Sequence, residues 1–284
     1  FRGTSVEGAY AYVTLEPCSH HGRTGPCVDA LITASIKKVV ATAQDPNPLV
    51  VGQDFAKLRA ARVEVEILPP DSPEAIASRE LNIGFFSRMI RKTPWVRMKV
   101  AASLDGVTAL GNGASQWITS DAARADGHAW RARACAILTG IGTVLEDDPR
   151  LDVRLVETPR QPHVVIVDSK LETPLDAMVL RAAHAVFIYA AAQNDVKQKA
   201  LEALGVKVIY LPGPNGKVDL AAMLRDLGAR EINELHVEAG AKLNGSLLRE
   251  GLVDELLVYL APKLLGQGRA LAENIFAQGP LSEL

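Results

Sequence analysis

Thr14-Leu-Glu-Pro-Cys-Ser-His-His-Gly-Arg-Thr-Gly-Pro-Cys27 joins an apolar run, Tyr10 to Leu15, to a helical stretch that opens at Cys27. Strand, loop and helix in that order make the entry unit of an α/β fold. The loop also carries chemistry. Pro17-Cys18 and Pro26-Cys27 bracket His20 and His21, and zinc takes thiolate sulfur or neutral imidazole in a tetrahedral set. The helix N-terminus at Cys27 is expected to lower a thiol pKa, because it favours negative charge. The competing reading is a pair of buried thiols beside a turn. The His- and Gly-bearing loop between the Pro-Cys pairs favours the metal. With no further cysteine nearby, two cysteines plus an upstream His and a water fit better than a closed four-ligand site.

Outward from this loop the alternation continues. Strands are expected at 9–15, 38–43, 63–68, 95–102, 136–139, 163–167, 185–189, 206–211, 234–237 and 256–260. Helices are expected at 27–35, 53–61, 73–90, 120–133, 195–204, 220–227 and 241–250. This is an α/β chain with largely parallel strands. Pro94 after Arg91-Lys92-Thr93 reads as a helix stop and linker, which divides the 284 residues into 1–92 and 93–284. An apolar content of 48% fills a core, and a net charge of −2 gives no electrostatic case for nucleic-acid binding. Three cysteines are too few for a disulfide scaffold, which implies a reducing compartment and a cytoplasmic location. Cys135, in the apolar run Ala134 to Leu138, reads as a buried thiol. No run approaches the roughly 18 apolar residues of a membrane span, so no membrane partner is expected.

Ligand-facing turns follow several strands. Asp45-Pro-Asn-Pro48 follows the strand at 38–43, where polar groups held by prolines suit a base edge, although a plain turn explains the spacing equally well. Glu238-Ala-Gly240 ends a strand where a helix begins, and a glycine there lets backbone approach a phosphate at the helix N-terminus. Thr139-Gly-Ile-Gly-Thr143 reads as a loop offering a second amide surface. It is not a GxGxxG fingerprint, so a cleft of another type than a Rossmann site is expected.

Thr14 to Cys27 and Gln44-Asp-Pro-Asn-Pro48 resemble the deaminase half of the bifunctional riboflavin-biosynthesis deaminase–reductases. Val96 to Gly106, Ser115 to Ser120, Ile137 to Pro149 and His236 to Gly245 resemble, in order, motifs of the reductase half. The resemblance implies a partial cytidine-deaminase-like domain followed by a dihydrofolate-reductase-like domain. In the first, it makes Cys18 and Cys27 zinc ligands and His20, Arg23, Asp45 and Asn47 substrate contacts. The family's His-Ala-Glu motif, with the third ligand and the catalytic Glu, is not found from Phe1 onward, so the chain as given is expected to be inactive as a deaminase. In the second, it places NADPH on Ala101, Trp117, Thr143, Asp147, Ser169, Gly240, Ala241, Lys242, Leu243, Asn244, Gly245 and Ser246. Substrate contacts fall on Ser115, Arg131, Leu151, Arg154 and Glu238, the arginines suiting a sugar phosphate. Lys99 and Asp105 are placed to position the ribose, and Lys99 and Glu238 are the proton-donor candidates. The implied reaction is hydride delivery from NADPH to C1′ of a ring-opened ribosylamino group, giving the ribitylamino product. The implied partner is a phosphorylated pyrimidine, and a homo-oligomer is expected.

Two other functions compete. One is a zinc nucleotide deaminase whose second domain only dimerises. The other is a non-catalytic binding or assembly protein with a degenerate zinc half-site. The turn at Gly240 and the stretch from Thr139 to Asp147 argue for a nucleotide cleft and so for the reductase.

Overall fold

The computed structural model describes residues 5–19, 25–47, 52–115, 117–181 and 184–275. It divides into two compact units, Phe1–Arg91 and Lys92–Leu284. No helix among the described residues is long and apolar enough to cross a membrane.

In the first unit β1 (Tyr10–Val13), β2 (Lys38–Ala41) and β3 (Glu64–Ile67) form a parallel sheet in that order, interleaved with α1 (Cys27–Thr33) and α2 (Gln53–Ala60). Val28 from α1, Phe55 and Leu58 from α2, and Val39 and Ala41 from β2 bury together. The helix expected over 73–90 is two helices, α3 (Pro73–Leu81) and α4 (Ile83–Arg91). Asn82 makes the break: its side-chain amide donates to the Ser78 carbonyl at 2.9 Å. Such local side-chain bonding competes with helix continuation. Ser72 caps the start of α3 by accepting from Ala75 N.

The second unit runs β4 (Trp95–Ser103), β5 (Val107–Leu110), α5 (Asp121–Arg133), β6 (Ala136–Gly140), α6 (Ile141–Asp147), β7 (His163–Val167), β8 (Val186–Ala190), α7 (Asp195–Glu202), β9 (Lys207–Tyr210), α8 (Leu220–Ala229), β10 (Glu234–Val237), α9 (Ala241–Arg249), β11 (Glu255–Ala261) and β12 (Gly268–Ala270). Among the described residues seven strands make one parallel sheet in the order β11-β4-β10-β6-β7-β8-β9. β10 enters between β4 and β6, so the chain changes direction across the sheet there.

One sheet face is apolar throughout: Met98, Val100, Leu138, Leu235 and Val237 pack against Met223, Leu224 and Leu227 of α8 and Leu247 of α9. The other face is divided. Ile137, Val164, Ile166 and Ile188 pack with Val144 of α6 and Leu201 of α7. Under α5 the same face is ionic. Arg97 donates to Glu255 at 2.8 Å and to Glu234 at 2.9 Å, and Arg133 to Glu234 at 2.8 Å. A central parallel strand ordinarily reads as a continuous apolar run. β10, Glu-Leu-His-Val, alternates instead because α5 brings cations and Trp130 over its polar side, the Arg97 guanidinium lying 4.3 Å from that ring.

Three further features depart from the sequence reading. The stretch expected to be a loop from Thr139 to Thr143 ends β6 at Gly140 and begins α6. Ile141, Gly142 and Thr143 are poor helix formers, and burial of Val144 overrides them. β5 and β12 pair antiparallel across the chain. A Cβ on Gly268 would stand 2.2 Å from the Ala109 carbonyl oxygen, so that pairing requires glycine. Cys135 is half-buried against the core rather than enclosed.

Candidate active site

Parallel α/β sheets gather ligands at the carboxyl ends of their strands, where the strand order reverses. Here a cleft of about 1900 Å³ opens over the ends of β4, β6, β7 and β10. A site for one drug-sized ligand takes about 300–1000 Å³, so this volume suits two ligands side by side.

One side of the cleft is built from turns. β10 ends at Val237 and, after Glu238-Ala239, Gly240 starts α9 without a side-chain cap. The first amides of α9 therefore lack a side-chain partner, and the helix end favours an anion. Gly140 lets α9 come close to the end of β6: Leu243 stands 3.3 Å from where a Cβ on Gly140 would lie. Thr143, Asp147, Ser169, Ala241, Lys242, Leu243, Asn244 and Ser246 all line this wall. Burial, then Glu146, raises the Asp147 carboxyl above its ordinary range, partly offset by Arg269. Trp117 is 60% exposed at the rim, with the Arg124 guanidinium 4.3 Å over its ring, so it is not a core residue.

The other side is charged. Glu238 receives Arg131 through Nε at 2.5 Å and Nη2 at 2.9 Å. Lys99 Nζ lies 3.9 Å from the same carboxylate and His236 Nε2 lies 3.5 Å from it. Burial pushes the Glu238 carboxyl up. The Arg131 charge and hydrogen bonds, His236 and Lys99 outweigh this and hold it well below the usual carboxylate range. Lys99 also faces the Tyr259 ring at 5.8 Å, and Tyr259 donates its hydroxyl to Asp126 at 2.5 Å. Arg154 is the more open cation, its Nη1 2.6 Å from Asp152 Oδ1 with 45% of its side chain exposed. Ser115 and Ala101 complete the lining.

Three residues read as site residues lie elsewhere. Gly245 packs away from the cleft: a Cβ there would stand 1.7 Å from the Glu273 carbonyl oxygen. The Leu151 side chain is buried in the core on a left-handed backbone, φ 49°. Asp105, expected to position a ribose, spends its carboxylate on Ser103 Oγ at 2.5 Å and on the amides of Leu265 at 3.1 Å and Gly266 at 2.7 Å. Those bonds, Ser103 first, hold it at about 2. Arg131, read as a substrate contact, is committed to Glu238 and to the Asp152 carbonyl at 2.9 Å. Sequence reasoning missed His128, His236 and Tyr259. His128 lies three residues before Arg131 and His236 two before Glu238, but only the pairing of β4, β10 and β11 beneath α5 brings them together with Tyr259.

In the first unit His20, His21 and Arg23 lie outside the described residues. Partial burial, then the neighbouring Cys18 sulfur, raise the Cys27 thiol, contrary to the lowering expected from a helix end. The two thiols are thus near enough to interact with one another. Among the described residues no third metal-ligating side chain joins them. Glu16 organises this corner. Its Oε1 accepts from Phe55 N at 3.1 Å, and its Oε2 from Gly52 N at 3.1 Å and Asp45 N at 3.2 Å. Asp45 Oδ1 in turn accepts from Asn47 N at 2.8 Å.

The second unit is thus an α/β domain with an open parallel sheet and a large cleft at its switch point. A family model described as the RibD C-terminal domain matches residues 94–281. The riboflavin biosynthesis protein RibD of Escherichia coli (strain K12) is 44% identical over 277 residues, 93% of this chain and 73% of that protein. The structure of Acinetobacter baumannii RibD, form 1, superposes with a TM-score of 0.85 at 39% identity, covering 98% of this chain and 76% of that one. A diaminohydroxyphosphoribosylaminopyrimidine deaminase/5-amino-6-(5-phosphoribosylamino)uracil reductase from Thermotoga maritima superposes with a TM-score of 0.82 at 31% identity, covering 99% of this chain and 75% of that one. The chain belongs to the RibD family of riboflavin biosynthesis proteins, and it carries that family's reductase domain.

Proposed function

We propose that the second unit binds NADPH and a phosphorylated ribosylaminopyrimidine together, and reduces 5-amino-6-(5-phosphoribosylamino)uracil to the ribitylamino compound. The observation that carries this is the juxtaposition, in one cleft, of the uncapped α9 start at Gly240 with the Glu238–Arg131–Lys99 cluster. The described residues suit the cofactor: the uncapped first amides of α9 with Thr143, Ser169, Lys242 and Ser246 offer phosphate and ribose partners. NADPH, when bound, supplies the hydride for C1′ of the ring-opened sugar.

The side chains supply position and proton. Glu238 stays ionised under Arg131 and Lys99, so it accepts sugar hydroxyls and has no proton to release. Of the two proton-donor candidates this leaves the Lys99 ammonium, held between Glu238 and Tyr259. Arg154 faces the anionic end of the substrate. The dihydrofolate-reductase-like description of this unit agrees with its parallel sheet.

We further infer that the first unit is part of a zinc deaminase domain of cytidine-deaminase type. The adjacent sulfurs of Cys18 and Cys27 would supply two zinc ligands, and Asp45 and Asn47, held by Glu16, two substrate contacts. A homo-oligomer is supported by the apolar row Leu256, Val258 and Leu260 exposed along β11. The test of the reductase reading is NADPH oxidation at 340 nm with the ribosylaminouracil phosphate. Substrate-dependent oxidation is expected. A folded chain that binds NADPH but does not oxidise it with this substrate counts against the reading.

A further inference from the structure

His128 has no part in the function described so far. It lies on α5 one turn before Arg131, 5% exposed, with its ring in the cleft wall. Its Nδ1 accepts the backbone N–H of Arg154 at 3.2 Å. Arg131 Nη1 donates to the Asp152 carbonyl at 2.9 Å. Gln161 closes on the residue between, accepting from Val153 N at 2.7 Å and donating to Val153 O at 2.8 Å. Residues 152–154 belong to no helix or strand. Three side chains replace the ladder that a strand would have supplied, with one contact at Asp152, two at Val153 and one at Arg154.

The chemistry at His128 is one-directional. To accept at Nδ1 the ring must keep a lone pair there, which makes it neutral with its proton on Nε2. Burial, then the charges of Arg131 and Arg154, hold it down to about 4, against the opposing pull of Glu238 and Asp152. A protonated ring would set an N–H against the Arg154 N–H and release the segment.

We propose that His128 is a positioning residue of the reductase, which pins the backbone at Arg154 and so sets where that guanidinium meets the substrate phosphate. The proposal rests on the reading of Arg154 as the phosphate-facing cation.

Steady-state kinetics on the full chain test it, with His128→Leu, His128→Asn, Arg154→Met and the Leu–Met double variant. Asn places its Oδ1 near the position of Nδ1 and keeps the acceptor. His128→Leu is expected to raise the substrate KM about tenfold, with kcat within about threefold and NADPH affinity unchanged. His128→Asn should stay within about threefold of the parent. In the Arg154→Met background, His128→Leu should add less than about twofold, because both act through one group. If His128→Leu does not fold, His128→Gln, whose amide sits one methylene too far out, takes its place. An unchanged KM in the folded Leu or Gln variant, a loss in Asn equal to that in Leu, or full additivity with Arg154→Met overturns the proposal. If Arg154→Met itself leaves KM unchanged, the reading of Arg154 fails and the proposal with it. An Arg154 effect without a His128 effect sinks only the proposal.

Discussion

At the scale of single residues, the cleft is governed by which charges are already spent. Arg131 is spent on Glu238 and Asp152, and Asp105 on Ser103 and the turn at Leu265. On the charged side of the cleft Lys99 and Arg154 are the more open cations, at 24% and 45% side-chain exposure. Lys99→Met is therefore expected to lower kcat by about 10²–10⁴-fold, the range of general acid catalysis, while NADPH affinity stays unchanged. An equal loss of NADPH binding would assign Lys99 to the cofactor instead. Glu238→Gln should cut kcat/KM by at least about 10²-fold, since it removes the charge that pairs with Arg131 and turns one of the two accepting oxygens into a donor. His128 also gives a pH dependence with a definite sign. Its folded pKa lies at about 4, below the ordinary 6.5. The unfolded chain therefore binds more protons between these values, and the stabilisation present above pH 6.5 is lost as the pH falls towards 4. The urea midpoint of the chain should drop from pH 7 to pH 4.5, and by less in His128→Asn. His163 and His184, also held low by burial, act in the same direction.

At the scale of elements, glycines mark the contacts that fix the cleft's far wall. Gly245 brings α9 against the backbone of Glu273, and Asn244 donates to the Leu271 carbonyl at 2.9 Å. Gly245→Ala would gain about 1 kcal/mol of helix propensity but force the two backbones apart. A net loss of at least about 2 kcal/mol is expected in chemical denaturation. A variant as stable as the parent would show that the segment after β12 shifts freely. In the first unit Glu16 plays the corresponding part, a carboxylate taking three amides from the Asp45 turn and the start of α2. Much of the candidate site was readable at this scale. The strand end at Val237, the Gly240 turn and the helix from Ala241 follow from period and punctuation. α6 was not, because its first residues disfavour helix and only the burial of Val144 compels it.

At the scale of the whole molecule, the described sheet of the second unit ends at β11, whose Leu256, Val258 and Leu260 are 53%, 43% and 60% exposed. Exposed apolar edges associate. Replacing Leu256 and Val258 by Lys is expected to shift the solution mass, by light scattering, towards the monomer while NADPH binding persists. An unchanged mass would place any self-association elsewhere.

The sequence by itself determined the parallel α/β class and most of the strands and helices. These follow from local period, proline and glycine positions and spacing. Tertiary structure alone decided which charges meet. Glu238, Arg131, Lys99, His128 and Tyr259 come from β10, α5, β4 and β11, and only the crossing order β11-β4-β10-β6 brings them under one helix. The pairing of β5 with β12 and the exclusion of Gly245 and Leu151 from the cleft are non-local in the same way. A side chain's neighbours across a sheet are set by strand order, which local sequence does not encode.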